Sequence, residues 1–389
     1  ACGPKAAARL MRLMPEAEVT MIEKGEMVSY GACGLPYYVE GMFSNINALT
    51  HTPAGVSRTP EFFRSWKGFQ TLTRTEALSI NRTDKQVRVR HLESGQEEDL
   101  PYDKLVLATG GRPFKPPIPG LDLKNVWFMT HPDDAASLVA EIERQGLKKA
   151  VLVGAGFIGL EVAEALINRG LDVTMVEMAN QIMPGILDED IARFAQIHME
   201  DNDVELVLGE TVTALEGGDQ VDTVVTDKQK IAADFVVIGV GTRPNDDLAR
   251  AAGLQCNRGI VVNEYCQTSD PDIYAGGDCV PNAYIHRQVG DPLYVPLGST
   301  ANKHGRVIAN HIAGRPTPFS GITCSSVVRV FDYTLGRTGL TERMLRALGV
   351  DYEVTTWTGQ DIPHYMTGSR LFAIKMLASR RDRKLLGVQ

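Results

Sequence analysis

The sequence contains no run of about eighteen apolar residues, so nothing in it reads as a membrane span. It has no Lys/Arg-rich tract to set against a net charge of −8, except Arg380, Arg381, Arg383 and Lys384. Hydrophobic runs flank that cluster on both sides, which reads as a hairpin tip, and nucleic acid has no electrostatic footprint here. The six cysteines form no C-x-x-C pair. That removes the usual zinc and thioredoxin-like spacings and favours a reducing, cytoplasmic compartment. The eight histidines are scattered; only His304 and His311 share helical spacing, with no acid nearby, so no metal site is expected. Aromatics are sparse at 7%, whereas glycine reaches 37 residues, the balance of an α/β chain with many tight strand-to-helix turns.

What is present begins with nucleotide motifs. The 389 residues suffice for two or three domains. At the start, Gly3 precedes a helical run over Ala6–Leu13, a turn at Pro15–Glu16, and an apolar strand Val19–Ile22 that ends in Glu23. This reads either as the back half of a βαβ dinucleotide unit or as an ordinary αβ unit with a chance Glu. In a dinucleotide unit the last glycine lets helix and sheet pack, and an acid about 20 residues on accepts from a ribose hydroxyl. The first strand and glycines are expected to precede Ala1. Leu385–Gln389 likewise opens a return strand, so a further C-terminal piece is expected.

A second unit is complete. Lys149–Glu177 reads KAVLVGAGFIGLEVAEALINRGLDVTMVE. A buried strand leads into Gly154, Gly156 and Gly159, a helix runs to about Asn168, and a strand ends at Glu177. A pyrophosphate is expected at the helix N-terminus, bound by backbone N–H groups and the helix dipole. The carboxylate of Glu177 suits a free 2′-hydroxyl and repels a 2′-phosphate, so NADH is expected over NADPH. Each unit is followed by a strand running into a glycine turn: KLVLATGGRP at Lys104–Pro113 and FVVIGVGTRP at Phe235–Pro244. An apolar strand then delivers Asp278 in IYAGGD.

This order of motifs resembles the pyridine nucleotide–disulfide oxidoreductase family along nearly the whole chain. The resemblance implies an α/β fold of two Rossmann-like dinucleotide domains and a C-terminal α+β dimer interface domain. It implies FAD on the first unit, at Gly3, Glu23, Lys24, Ala108, Thr109, Gly110 and Asp278, the last holding the ribityl chain. NADH is implied on the second, at Gly154, Gly156, Phe157, Ile158, Gly159, Glu161, Glu177 and Gly241. In the family the position of Phe157 shields the flavin, and that of Glu161 lies near the nicotinamide. The expected divisions are 1–117 and 245–318 for FAD, 118–244 for NAD(H), and 319–389 for the interface.

The sulfur chemistry centres on Cys33, in SYGACGLPYYVEG. A C-x-x-x-x-C pair would need a cysteine at Val28 or Tyr38, and neither is one. The string resembles the family's single-cysteine branch: coenzyme A-disulfide reductases, NADH-dependent persulfide and polysulfide reductases, NADH oxidases and NADH peroxidases. A thiolate at a helix entrance is a good nucleophile, and Cys33–Val39 is expected to open such a helix with Pro36 in its first turn. A lone cysteine requires an external sulfur partner or a sulfenic acid when oxidised. The other five cysteines read as buried hydrophobes, with Cys324 placed in a Ser-rich strand.

By the same resemblance, oxidases and peroxidases carry a His where this chain has Ala1, and Arg12 and Ser29 match positions that contact coenzyme A in the disulfide reductases. Ala32 stands where some of those reductases carry Asn. In the C-terminal domain, strands over Ser325–Phe331 and Tyr352–Trp357 and a helix near Glu342–Leu348 are expected. Tyr365 is the best match to a tyrosine that one subunit of a homodimer supplies as proton donor. The leading expectation is an FAD-dependent NADH oxidoreductase reducing CoA disulfide, CoA persulfide or polysulfide through Cys33. The alternatives are an NADH oxidase or peroxidase using a Cys33 sulfenic acid, and a non-catalytic flavin/NADH redox sensor.

Overall fold

The structure is a computed structural model describing residues 1–282 and 293–389. The chain divides into two compact units, each built from three segments. One comprises residues 1–32, 45–112 and 242–322; the other comprises 33–44, 113–241 and 323–389.

In the first unit, short parallel strand pairs carry the nucleotide architecture. Thr20–Ile22 pairs with Gln70–Leu72, and Ile273–Ala275 pairs with Leu105–Leu107. The helix Cys2–Leu13 starts four residues earlier than its apolar pattern suggests. It packs on the helix Gly298–Ile312 at a contact that needs glycine, because a Cβ on Gly305 would stand 2.7 Å from the Cys2 carbonyl oxygen. An antiparallel meander follows Thr75–Asn81, Gln86–His91 and Glu97–Pro101. Its middle strand buries Val87 and Val89 and turns Arg88 and Arg90 outward to Glu97, the alternation of a sheet covered on one face. Val87, Val89, Leu107, Ile260 and Ile273 form one core cluster, and burying each such aliphatic side chain is worth roughly 1.5–3 kcal/mol.

The second unit contains a five-stranded parallel sheet in the order Val204–Leu208, Asp172–Glu177, Lys149–Val153, Phe235–Ile238, Val126–Trp127. Ala150–Val153 and Phe235–Ile238 are buried throughout, as the central strands of a sheet covered on both faces must be. The helix Phe157–Asn168 connects two of these strands. The helix Pro132–Gln145 starts on a cap in which the Asp134 carboxylate accepts from the Thr130 and His131 N–H groups. A separate antiparallel sheet contains Ser326–Val330, Tyr333–Gly339, Tyr352–Gln360, Leu371–Ser379 and Leu385–Val388, with the helix Glu342–Ala347 inserted. The basic cluster near Arg380 does occupy the turn between the last two strands. Cys324 corrects one expectation. It is buried but lies ahead of the strand, and its φ of 55° is incompatible with extended backbone.

Candidate functional site

The second glycine motif shows why each glycine is there. Gly154 has φ of +100°, and a Cβ on it would stand 2.7 Å from the Gly239 carbonyl oxygen. On Gly159 a Cβ would meet the Gly154 carbonyl oxygen at 2.2 Å, so the helix could not seat against the turn. At Gly156, the residue that caps Phe157–Asn168, a Cβ would meet nothing within 4 Å. That is open space at a helix N-terminus, where a pyrophosphate can approach the backbone closely. Glu177 is buried behind this turn. One of its carboxylate oxygens accepts from Ala155 N–H and the other from Ala179 N–H, both at 2.9 Å. Each oxygen retains lone-pair capacity for a ribose hydroxyl. Phe157 and Ile158 are half-buried at the helix start, and Gly241 is exposed on its own turn. These features fit a bound dinucleotide.

Further along the same helix, Glu161 and Glu164 lie three residues apart and share a face. Glu164 is buried and paired, its two oxygens accepting from Arg329 at 2.7 Å and Phe331 N–H at 2.8 Å. Glu161 has no such partner among the described residues. Burial first, and then the Glu164 charge, push its pKa up to about 7.

In the first unit, Gly3 lies at the start of its helix, where a Cβ would be 3.4 Å from Ala108. Ala108, Thr109 and Gly110 form a turn tied to Asn245, which donates to the Thr109 carbonyl while the Thr109 hydroxyl donates back. Glu23 accepts from Gly25 N–H, and Lys24 is paired with Glu76 at 2.7 Å. Asp278 follows the Gly276–Gly277 turn, which is crowded against Cys2, since a Cβ on Gly276 would stand 2.8 Å from the Cys2 sulfur. Burial raises the Asp278 pKa, and among the described residues its carboxylate has no hydrogen-bond partner. A half-buried acceptor of this kind fits a ribityl hydroxyl.

Sequence reasoning missed His304 here. Burial lowers its pKa to about 4, so the ring is neutral, and Nδ1 accepts from Gly277 N–H at 3.1 Å, holding the Asp278 turn. It also missed a group of cations around Lys5. Burial, and then the positive charges of Arg306, Arg12 and Lys67, hold the Lys5 pKa below its ordinary value. Four cations from three chain segments therefore converge in an acidic protein.

Cys33 is exposed, whereas Cys2, Cys266, Cys279 and Cys324 are buried and Cys256 is partly so; none forms a disulfide. Cys33 occupies a 3-10 turn, Ala32–Gly34, that leads into the helix Leu35–Glu40 with Pro36 in the first turn, as expected. Ser29 is half-buried and Arg12 exposed. Tyr365 is 79% exposed, in contact with the His364 ring.

Residues 1–305 match the family described as pyridine nucleotide-disulphide oxidoreductase, and residues 325–389 match its dimerisation domain. The chain is 33% identical over 391 residues to a CoA-dependent NAD(P)H sulfur oxidoreductase of Pyrococcus furiosus, covering all of this chain and 85% of that one. It is also 33% identical over 390 residues to an NADH oxidase of Methanocaldococcus jannaschii, with the same coverage. A solved NAD-dependent persulfide reductase from A. fulgidus superimposes with a TM-score of 0.96 at 37% identity, covering 100% of this chain and 71% of that one.

Proposed function

This chain belongs to the pyridine nucleotide-disulphide oxidoreductase family, and from that premise we propose that it reduces CoA disulfide, CoA persulfide or polysulfide with NADH through Cys33. FAD and a pyridine nucleotide are its cofactors. The observation that carries the reading is Cys33 itself, an exposed thiol at a helix entrance with no second cysteine to close a disulfide. Bound FAD supplies two-electron transfer between NADH and the cysteine sulfur. The Cys33 thiolate attacks the S–S bond of the substrate. One half stays on Cys33 as a mixed disulfide, and the other leaves as a thiolate that takes a proton. Two electrons from NADH then release the second half, so NADH, one proton and RS–SR′ give NAD⁺, RSH and R′SH.

The cations Lys5, Arg12, Lys67 and Arg306 favour a substrate bearing phosphates, which points to CoA, with Ser29 as a further contact. Glu177 favours NADH over NADPH. The glycines at 154, 156 and 159 seat that nucleotide, while Gly3, Glu23, Thr109 and Asp278 serve FAD. The dimerisation domain supports a homodimer, in which exposed Tyr365 is the proton donor to the leaving thiolate.

A second reading, NADH oxidase through a Cys33 sulfenic acid, is favoured by the name of the M. jannaschii relative. Anaerobic stopped-flow separates the two. Flavin-loaded protein is reduced with NADH and mixed in separate runs with CoA disulfide, CoA persulfide, polysulfide, peroxide or oxygen. Fast flavin reoxidation by a sulfur acceptor, lost in Cys33→Ser, is the expected result. Fast reoxidation by oxygen or peroxide alone overturns it in favour of the oxidase.

A further inference from the structure

The helix that follows Cys33 is too short to hold itself. Leu35–Glu40 has six residues, well below the length at which an isolated helix is stable. Leu35 and Val39 are buried, but apolar contact fixes depth better than rotation. Its own end bonds are Gly41 N–H to Tyr38 O and Met42 N–H to Tyr37 O, which leave the Val39 carbonyl to be satisfied from elsewhere.

Two guanidinium groups reach this helix from distant parts of the sequence. Arg169, the residue that ends Phe157–Asn168, donates through Nε to the Val39 carbonyl oxygen. A cation at a helix C-terminus is favourable both as a cap and against the helix dipole. Its side chain is only 19% exposed, and its Nη1 lies 3.3 Å from Glu143 of the helix Pro132–Gln145. Asn168 adds a bond from Nδ2 to Glu40 at 2.9 Å. The second group is Arg329, on the strand Ser326–Val330. It lies 5.8 Å from the centroid of the Tyr37 ring while its Nη2 donates to buried Glu164. Glu164 thereby fixes the guanidinium over the ring.

We propose that Arg169 and Arg329 are positioning residues for Cys33, a two-point clamp that sets the rotation of the Leu35–Glu40 helix and hence the aim of the thiol two residues ahead of it. Gly34 separates the thiol from the helix, so a loosened helix would transmit its freedom directly to Cys33. Both anchoring acids, Glu143 and Glu164, lie on helices of the parallel-sheet domain. The clamp therefore ties the thiol to the scaffold that holds the second glycine motif. This rests on the reading of Cys33 as the reacting thiol.

The test uses flavin-loaded, full-chain protein in four forms: wild type, Arg169→Met, Arg169→Lys and Arg329→Met. Arg329→Met/Glu164→Gln is added so that no orphaned buried carboxylate confuses the result. Three quantities are read: NADH–ferricyanide turnover, which bypasses the thiol; turnover of CoA persulfide or CoA disulfide; and the pH profile of Cys33 alkylation by iodoacetamide.

The Met variants are expected to keep ferricyanide turnover within about two-fold. They should lose roughly ten-fold or more of sulfur turnover, the scale set by small misplacements of a reacting group. Their Cys33 alkylation profile should differ from that of the wild type. Arg169→Lys should recover part of both, because an ammonium can also donate to Val39. An unchanged alkylation profile with wild-type sulfur turnover overturns the clamp. So does a parallel fall of both turnovers with melting temperature, which marks a merely structural role. If Cys33→Ser keeps sulfur turnover, the proposed function fails, and the alkylation profile still decides the clamp.

Discussion

Individual side chains carry most of the proposed specificity. The cations near Lys5 are close enough to depress its pKa, so they repel one another at rest and gain by sharing an anion. Replacing Lys5 and Arg12 together by Gln is expected to raise KM for CoA persulfide roughly ten-fold, since charge-assisted bonds at partly exposed sites are worth about one to two kcal/mol in all. KM for inorganic polysulfide should stay the same. Steady-state kinetics with both substrates checks this, and equal effects on the two would remove CoA from the reading. Glu161 offers a pH test. Its folded pKa of about 7 lies above the ordinary 4.5, so the folded chain holds this proton more tightly than the unfolded chain does. Its contribution to stability is complete below about 4.5 and is lost as pH rises to 7. Glu161→Gln should therefore raise the melting temperature more at pH 8 than at pH 5, as thermal denaturation at both values would show. An equal gain at both would mean that Glu161 is better solvated than its burial indicates.

Elements are held by contacts that no local pattern announces. Lys375, on Leu371–Ser379, is 2% exposed and lies 2.8 Å from Asp190, 2.5 Å from Glu342 and 3.4 Å from Asp188. Burial acts to lower its pKa, but the bonds to Asp190 and Glu342 and the charge of Asp188 outweigh it and leave it raised. Glu342 is pushed up by its own burial and pulled down more by Lys375 and Tyr352, ending below its ordinary value. The lysine's stabilisation is present below its unfolded pKa and fades at alkaline pH; that of Glu342 is present above 4.5 and fades as pH falls. Lys375→Met should cost about 3–5 kcal/mol at pH 7, because it leaves buried Asp188 without its cation and half-buried Glu342 with Arg346 alone. The cost should shrink at pH 4. Urea denaturation at both values tests this, and a pH-independent cost below about 1 kcal/mol would show that water already screens these acids.

The contrast with the glycine motif shows what a sequence can disclose. Lys149–Glu177 was legible because strand, glycines, helix and acid follow one another within 29 residues, and period and spacing are local quantities. The return hairpin around Arg380–Lys384 was legible for the same reason. Lys375 gave no signal, since its partners lie 33 to 187 residues away. Nor did the Cys33 helix show that it rests on Asn168, Arg169 and Arg329, or Lys5 that Arg12, Lys67 and Arg306 act on it. Cys324 was misplaced because a Ser-rich apolar stretch looks extended, while its positive φ is imposed from outside the stretch. Motifs are local and can be read from spacing, whereas the tertiary contacts that hold them are not.

For the whole molecule, the proposed homodimer makes a specific prediction about which subunit completes which site. The dimerisation domain spans residues 325–389, and Tyr365 is 79% exposed on it, with Ile362, Met366, Leu371 and Phe372 exposed nearby in the sequence. A phenol left in solvent next to apolar side chains suits delivery to a partner subunit in a closed two-fold dimer. Subunit mixing separates the two arrangements. Cys33→Ser homodimers should be inactive with sulfur substrates, and Tyr365→Phe homodimers slow. When the two are dissociated and reassociated together, half of the dimers are expected to be mixed. If Tyr365 serves the other subunit's Cys33, each mixed dimer holds one intact site, pairing Cys33 of one chain with Tyr365 of the other, and one doubly defective site. Activity should then rise to about a quarter of wild type, as random pairing under two-fold symmetry requires. If Tyr365 serves its own chain, no mixed dimer has an intact site, and activity stays at the average of the two parents. The same mixture assayed with NADH and ferricyanide should remain near wild type in either case, because neither substitution touches the residues assigned to the nucleotides.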